Sequence, residues 1–132
     1  KADGRLRGRE TRQLVRSTRR AVDGLPVVYM GDFNSYRGGP SNDPPRKELA
    51  KRGWVDTFDA SETYSQPYVS SFNGWQSSVQ TLKYWGGHID RIFIPRSMGS
   101  TSWRVVAKTK KRRYLGTQAS DHNLVRTTLL LP

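Results

Sequence analysis

The stretch VVYMGDFNSY, residues 27–36, decides how the rest of this chain is read. An apolar run stops at Gly31 and is followed by an aspartate and an asparagine two residues apart. Side chains alternate along extended backbone, so a strand ending this way is expected to point Asp32 and Asn34 to one side at the rim of a sheet. The plainer reading is a strand followed by a polar turn, and the remaining sequence has to decide between them.

Upstream, residues 6–23 have helical periodicity. Leu14, Thr18, Val22 and Leu25 recur at steps of four, four and three, Val15 and Ala21 widen the stripe, and Arg12, Arg16, Arg19 and Arg20 cover the other side. Gly24 and Pro26 stop the helix and hand the chain to the strand. Downstream, YRGGPSNDPP reads as a loop, after which Asp43 is expected to cap a short helix that has Pro44 at its first position and runs towards Gly53. WVDTF, HIDRIFI, WRVVAK and NLVRTTLLL read as strands, whereas residues 60–87, rich in Ser, Gly, Tyr and Trp, read as long loops.

At 132 residues the chain is the size of one domain, and no linker or repeat divides it. Its 23 Lys and Arg against 11 Asp and Glu leave a net charge of +12, which favours a polyanionic partner, nucleic acid first. The absence of cysteine excludes disulfides and thiolate metal sites. No apolar run approaches the roughly 20 residues of a membrane-spanning helix.

Chemistry-bearing residues gather at strand ends. Asp90 in HIDRIFI falls on the face of Ile92 and Ile94, where an ionised carboxylate needs a partner. His122 in SDHNLV is one of two histidines, and an Asp90–His122 hydrogen bond would fix the ring's tautomer and free its second nitrogen for a substrate. Asp121 suits a hard cation such as Mg²⁺. Asp32 and Asn34 would supply a water-orienting carboxylate and a neutral donor to a phosphate oxygen. Taken singly, each has a structural explanation: a solvated loop pair for Asp121 and His122, an edge or capping residue for Asp90.

Together GDFNS, HIDRIFI and SDHNLV resemble the three carboxyl-terminal motifs of the endonuclease/exonuclease/phosphatase superfamily, the deoxyribonuclease I-like fold, over about residues 5–131. The resemblance implies an α/β (α+β) fold: the C-terminal half of a four-layer α/β/β/α sandwich, with a mixed, mostly antiparallel sheet covered by helices. It implies that Asp32 orients the attacking water, Asn34 and His122 contact the phosphate, Asp90 holds His122, and Asp121 lies at a Mg²⁺ (or Mn²⁺) site.

The first half's asparagine and metal-binding glutamate have no counterpart, since Glu10 and Glu48 fall in helix patterns and Glu62 in a loop. With Lys1 in place of an initiator Met, residues 1–132 are therefore expected to be a single domain that forms the C-terminal part of a longer one. Such a half would self-associate when isolated and could be inactive without its partner half. The leading expectation is a metal-dependent nuclease acting on DNA ahead of RNA. The alternatives are a lipid or inositol phosphate phosphatase and a noncatalytic nucleic-acid-binding half-domain.

Between Asp90 and Asp121 no acidic residue occurs, while Arg91, Arg96, Arg104, Lys108, Lys110, Lys111, Arg112 and Arg113 are basic. The densest part, Lys108 to Arg113, is expected to form a loop that neutralises a nucleic-acid backbone. Trp75, Tyr84 and Trp85 could stack on bases, with ordinary packing as the alternative. His88, on the Asp90 face, is a further candidate for the site, again with packing as the alternative.

Overall fold

The computed structural model describes residues 2–21, 24–82 and 87–132. Val22, Tyr84 and Trp85, singled out above, lie outside the described residues. Helix α1 spans Ala2–Ala21 and is followed by strand β1, Tyr29–Asp32. Helix α2 is Pro44–Ala50, strand β2 Trp54–Asp56, and the single-turn helix α3 Thr57–Ala60. Then come β3, Ser61–Ser65; β4, Asp90–Pro95; and β5, Gly99–Val106. A hairpin of β6, Thr109–Lys110, and β7, Arg113–Tyr114, precedes β8, Leu124–Leu130. None of the described helices is long and apolar enough to cross a membrane.

Two three-stranded sheets carry the fold, in the orders β1-β4-β2 and β3-β5-β8. All pairings are antiparallel except β3 with β5. In the first sheet Tyr29 lies opposite Phe93, and both pack with Trp54 beneath Val15 of α1 and Leu49 of α2. In the second, Trp103, Val105 and Val125 pack with Phe58, Tyr64 and Val69. An irregularity between Ser100 and Ser102 lets Ser100 and Trp103, three residues apart, share this covered face. The architecture is therefore one helical layer on mixed, mostly antiparallel sheet, with the opposite sheet faces uncovered among the described residues.

Helix α1 begins earlier than its periodicity predicts and buries a different stripe. Gly4, Gly8, Thr11 and Val15 face inward, whereas Leu14 and Leu25 are exposed. The reason is α2: a Cβ on Gly4 would stand 3.1 Å from Ser41 Cβ, so the glycine lets the loop before α2 come close. Asp43 also departs from its expected role. It occupies the N-cap position in the left-handed conformation (φ 51°) and makes no side-chain cap bond.

Its carboxylate is engaged elsewhere. Arg91 is buried and donates from Nη1 to Asp43 (2.7 Å) and from Nε to Asp56 (2.7 Å), with Nη2 also bonded to Asp56. Arg91, one of the basic residues between Asp90 and Asp121, is thus spent on buried carboxylates. Burial works against its charge, but Asp56 and Asp43 outweigh that and hold its pKa above the usual value. Replacing Arg91 by Leu would strand two buried carboxylates and is expected to destabilise the fold by ~3–5 kcal/mol in urea unfolding. A change within ±0.5 kcal/mol, the range of ordinary surface substitutions, would contradict this placement.

Candidate active site

The end of β1 meets the start of β4, with Asp32 directly opposite Asp90 and Met30 opposite Ile92. These four residues occupy the sheet face turned away from the helices. Gly31 has φ 147°, a conformation open to glycine and strained for other residues. The alternation argument that placed Asp32 and Asn34 on one side fails, because the strand stops at Asp32 and Asn34 adopts φ 47°. A tight turn joins them instead: the Asn34 amide donates to Asp32 Oδ1 at 2.7 Å. Both side chains are exposed.

His122 lies just before β8 and donates from Nδ1 to Asp90 Oδ2 at 2.9 Å. That bond commits Nδ1 and leaves Nε2 to face a substrate, as an acceptor while the ring is neutral and as a donor once it is protonated. The hydrogen bond to Asp90 raises the His122 pKa against a smaller opposing effect of burial, and the charges of Asp90, Asp32 and Asp121 push the same way. Asp32, Asp90, Asp121 and His122 are thus electrically one site, built from β1, β4 and the turn before β8.

The scaffold of that site is a segment whose sequence pattern reads as featureless loop. The Ser71 hydroxyl oxygen accepts from the Asp90 amide (3.1 Å), and its carbonyl accepts from the Asn123 amide (2.6 Å). The amides of Asn73 and Gly74 donate to the Asp121 carbonyl at 2.7 and 3.0 Å. Phe72 stands edge-on to the His122 ring, 5.2 Å between centres. The buried Asn73 side chain donates to the Ser120 carbonyl and to Asn123 Oδ1. The signal that could have found them is SSFN itself, four hydrogen-bonding or aromatic residues in a row within a long polar stretch.

His88 stands outside this group. Its Nε2 donates to the Val69 carbonyl at 3.1 Å, and its ring packs on Phe58 and Trp103. Burial lowers its pKa to about 4, so the ring is neutral at pH 7. Trp75 is exposed in the left-handed conformation (φ 60°), its amide donating to Asn73 Oδ1.

The expected basic loop is a hairpin. Lys111 and Arg112 both have positive φ, 48° and 60°, as the tight two-residue turn between β6 and β7 requires. Lys108, Lys110, Lys111, Arg112 and Arg113 are all exposed. The hairpin is braced by the Val79 amide donating to the Arg112 carbonyl and by Asn123 Nδ2 donating to the Tyr114 hydroxyl. A cleft of about 730 Å³ runs from its base to the site, lined among others by Lys108, Tyr114, Ser120 and His122.

For a metal the donors fit in kind but not in number. Asp32 and Asp121 offer the oxygen ligands that Mg²⁺ prefers. Among the described residues, however, no three His, Cys, Asp or Glu side chains are grouped to hold an ion. Glu48 is engaged by Arg12 and Arg52. Glu10 borders the groove beside Met30, Gly31 and Asp32 without completing such a group.

The chain matches no protein-family model and no curated protein. Among solved structures it is similar to a mannosyl-6-phosphatase from Bacteroides thetaiotaomicron, with 19% identity and a TM-score of 0.69, over 95% of this chain and 46% of that one. It is also similar to an endonuclease/exonuclease/phosphatase family protein from the same organism (18%, TM-score 0.68, 93% and 44%) and to another from Bacteroides vulgatus (18%, 0.66, 96% and 44%). The likeness is one of fold: the chain has the architecture of the carboxyl-terminal half of the endonuclease/exonuclease/phosphatase fold. It spans less than half the length of these neighbours.

The Asp90 contact has a measurable consequence. A pKa raised in the folded state means the pair contributes stability that is fully present below the ordinary histidine value, near 6.5, and is lost as pH rises through the folded value. Asp90→Asn is expected to bring the His122 pKa, followed by NMR, down towards that ordinary value and to flatten stability between pH 5 and pH 8. An unchanged titration would refute the contact.

Proposed function

We propose that this chain is the catalytic carboxyl-terminal half of a phosphoester hydrolase, a nuclease in its leading form. The observation that carries the reading is the Asp90–His122 hydrogen bond set among Asp32 and Asp121 at one sheet rim. In this reading Asp32 accepts a proton from water as it attacks phosphorus in line, while the ester P–O bond opposite breaks and its oxygen leaves as an alcohol that takes a proton from solvent. Asn34 donates to a non-bridging phosphate oxygen. Asp90 keeps the proton on Nδ1 of His122, whose protonated form donates from Nε2 to the phosphate as negative charge builds. A divalent cation, Mg²⁺ with Mn²⁺ in its place, would add charge stabilisation through Asp121 once further ligands are supplied from outside the described residues.

Supercoiled plasmid and p-nitrophenyl phosphate, each with Mg²⁺ and with EDTA, test the reading. Plasmid nicking is expected to be slow, to vanish in EDTA, and to fall at least 100-fold in Asp32→Ala and in His122→Ala. Faster turnover of the monoester would favour a phosphatase, the second reading, which the mannosyl-6-phosphatase likeness supports. Absence of both activities, in this chain and in a protein joining it to a complete first half, would defeat the proposal.

The nucleic-acid partner, DNA ahead of RNA, is supported by the exposed hairpin and the cleft that joins it to His122. Each phosphate neutralised contributes about 0.9 to the slope of log affinity against log salt for duplex DNA. Changing Lys110, Lys111, Arg112 and Arg113 to Gln is therefore expected to reduce that slope by about 3 to 4. A slope that did not move would exclude the hairpin from the interface.

A further inference from the structure

Helix α1 carries five arginines in one line. Arg5, Arg9, Arg12, Arg16 and Arg19 recur at steps of four, three, four and three, so at about 100° per residue they fall within an arc of about 80°. At about 1.5 Å of rise per residue the line is about 21 Å long. The inward-facing Gly4, Gly8, Thr11 and Val15 lie about a quarter-turn away, which puts the arginines on one flank of the helix. That flank is the one beside α2, because Arg12 Nη1 donates to Glu48 Oε1 at 3.1 Å. A groove of about 490 Å³ runs between the two helices, lined by Arg5, Arg9 and Arg12 on one side and by Pro44 and Glu48 on the other.

The chain does not neutralise this groove itself. Arg5, Arg9, Arg16 and Arg19 are exposed, and none has an ion pair among the described residues. Three cations already share Glu48: Arg12 at 3.1 Å, Lys51 at 3.9 Å and Arg52 at 2.7 Å. Lys47, exposed beside Glu48, adds a further positive charge. Glu10 stands at least about 100° round the helix from every arginine of the line and borders a different groove, with Met30 and Asp32. Like charges three and four residues apart repel and weaken a helix, so the line is unfavourable until an anion lies along it.

We infer that the α1–α2 groove grips the phosphate backbone of duplex DNA, as a second nucleic-acid surface apart from the hairpin. None of its lining residues borders the cleft from the hairpin to His122. It lies on the helical side of the sheet, whereas Asp32 and Asp90 occupy the face turned away. One strand of a duplex sets a phosphate at every ~3.4 Å of axis, so a line of about 21 Å spans about six of them. Guanidinium forks bind phosphate oxygens in pairs. An anionic bilayer fits the same charges less well, because a helix resting on lipid sets apolar side chains into it. The exposed Leu6 and Leu14 stand about 100° and 180° round from Arg5, away from the line. Backbone contacts read no base, so this binding is expected to be independent of sequence. Two surfaces on one chain also raise the effective concentration of DNA at each. The inference shares its partner with the nucleic-acid reading above and depends on neither the hairpin nor hydrolysis.

The test starts from the chain with Lys110, Lys111, Arg112 and Arg113 changed to Gln, which takes the hairpin out of the measurement. Binding to a short duplex is followed by fluorescence anisotropy over a range of salt. This protein is expected to retain a salt-dependent affinity. Adding Arg5→Gln, Arg9→Gln, Arg16→Gln and Arg19→Gln should weaken it at least ten-fold at low salt. The slope of log affinity against log salt should fall by about 3.6, at about 0.9 for each arginine. Lys at the same four positions should restore the slope. Should the fourfold Gln change lose helix by circular dichroism, Arg9→Gln with Arg16→Gln alone is expected to remove about 1.8. A hairpin-neutral protein that binds no duplex, that binds only phosphatidylserine vesicles, or whose slope survives the Gln changes would overturn the inference and leave the hairpin reading standing. A slope that ignores the hairpin changes and falls with the α1 changes would do the reverse.

Discussion

One buried guanidinium holds the pieces of this half-fold in register. Arg91 leaves β4 on the helix side, one residue after Asp90, and binds carboxylates from two other parts of the chain. Asp43 belongs to the approach to α2, and Asp56 ends β2 while its Oδ1 accepts from the Phe58 amide to start α3. The same guanidinium reaches the Ser35 carbonyl, and the Ser35 hydroxyl donates to Asp43. The loop that carries Asn34 is thereby fixed to the strand that carries Asp90. Removing water from three charges is costly, so the cluster persists only because each group has its partners, and that same condition fixes the loop's path.

This explains which parts of the molecule were legible in the sequence. The strands YMGD, DRIFIP and LVRTTLL and the two larger helices announced themselves through periodicity and stop signals, and the fold class came from the resemblance that GDFNS, HIDRIFI and SDHNLV carry. The juxtaposition of Asp90 with His122 was legible because a carboxylate on an apolar face demands a partner and histidines are few. What stayed hidden depends on neighbours distant in the chain. Nothing near Asp43 says that its carboxylate will meet an arginine 48 residues later, so a local rule assigned it a cap. Nothing near Leu14 says that glycines will face α2 in its place. The scaffold at Ser71, Phe72 and Asn73 was hidden for a related reason: its hydrogen bonds run to Asp90, Asp121 and Asn123, and it has no periodicity of its own.

Charge is sorted in this chain by what each cation can reach. Arg91 finds two carboxylates and turns inward. Arg37 and Arg46 bind Asp59 and Asp43 at the edge of the same cluster. The hairpin residues from Lys108 to Arg113 meet no carboxylate among the described residues and stay in water beside the cleft to His122. Arg104 and Arg126 belong to neither group and have no ion pair among the described residues. A sequence count of +12 cannot separate these three populations, which differ in their surroundings: the first is bound to carboxylates, the second stands in water beside the cleft, and the third lies on a sheet face without an ion pair among the described residues.

The position of the site follows from the same asymmetry. Asp32, Asp90 and His122 all belong to the uncovered side of the sheets, at the end where β1, β4 and β8 meet. The helical layer serves them from behind, through Arg91 and the core around Phe93, and leaves their substrate side open. An open rim of this kind can hold a histidine in its tautomer and gather three carboxylates, because those tasks need only neighbouring strands of one sheet. Enclosing a phosphate and a cation needs walls from more than one direction, and the donors grouped here fall short of a metal site for that reason.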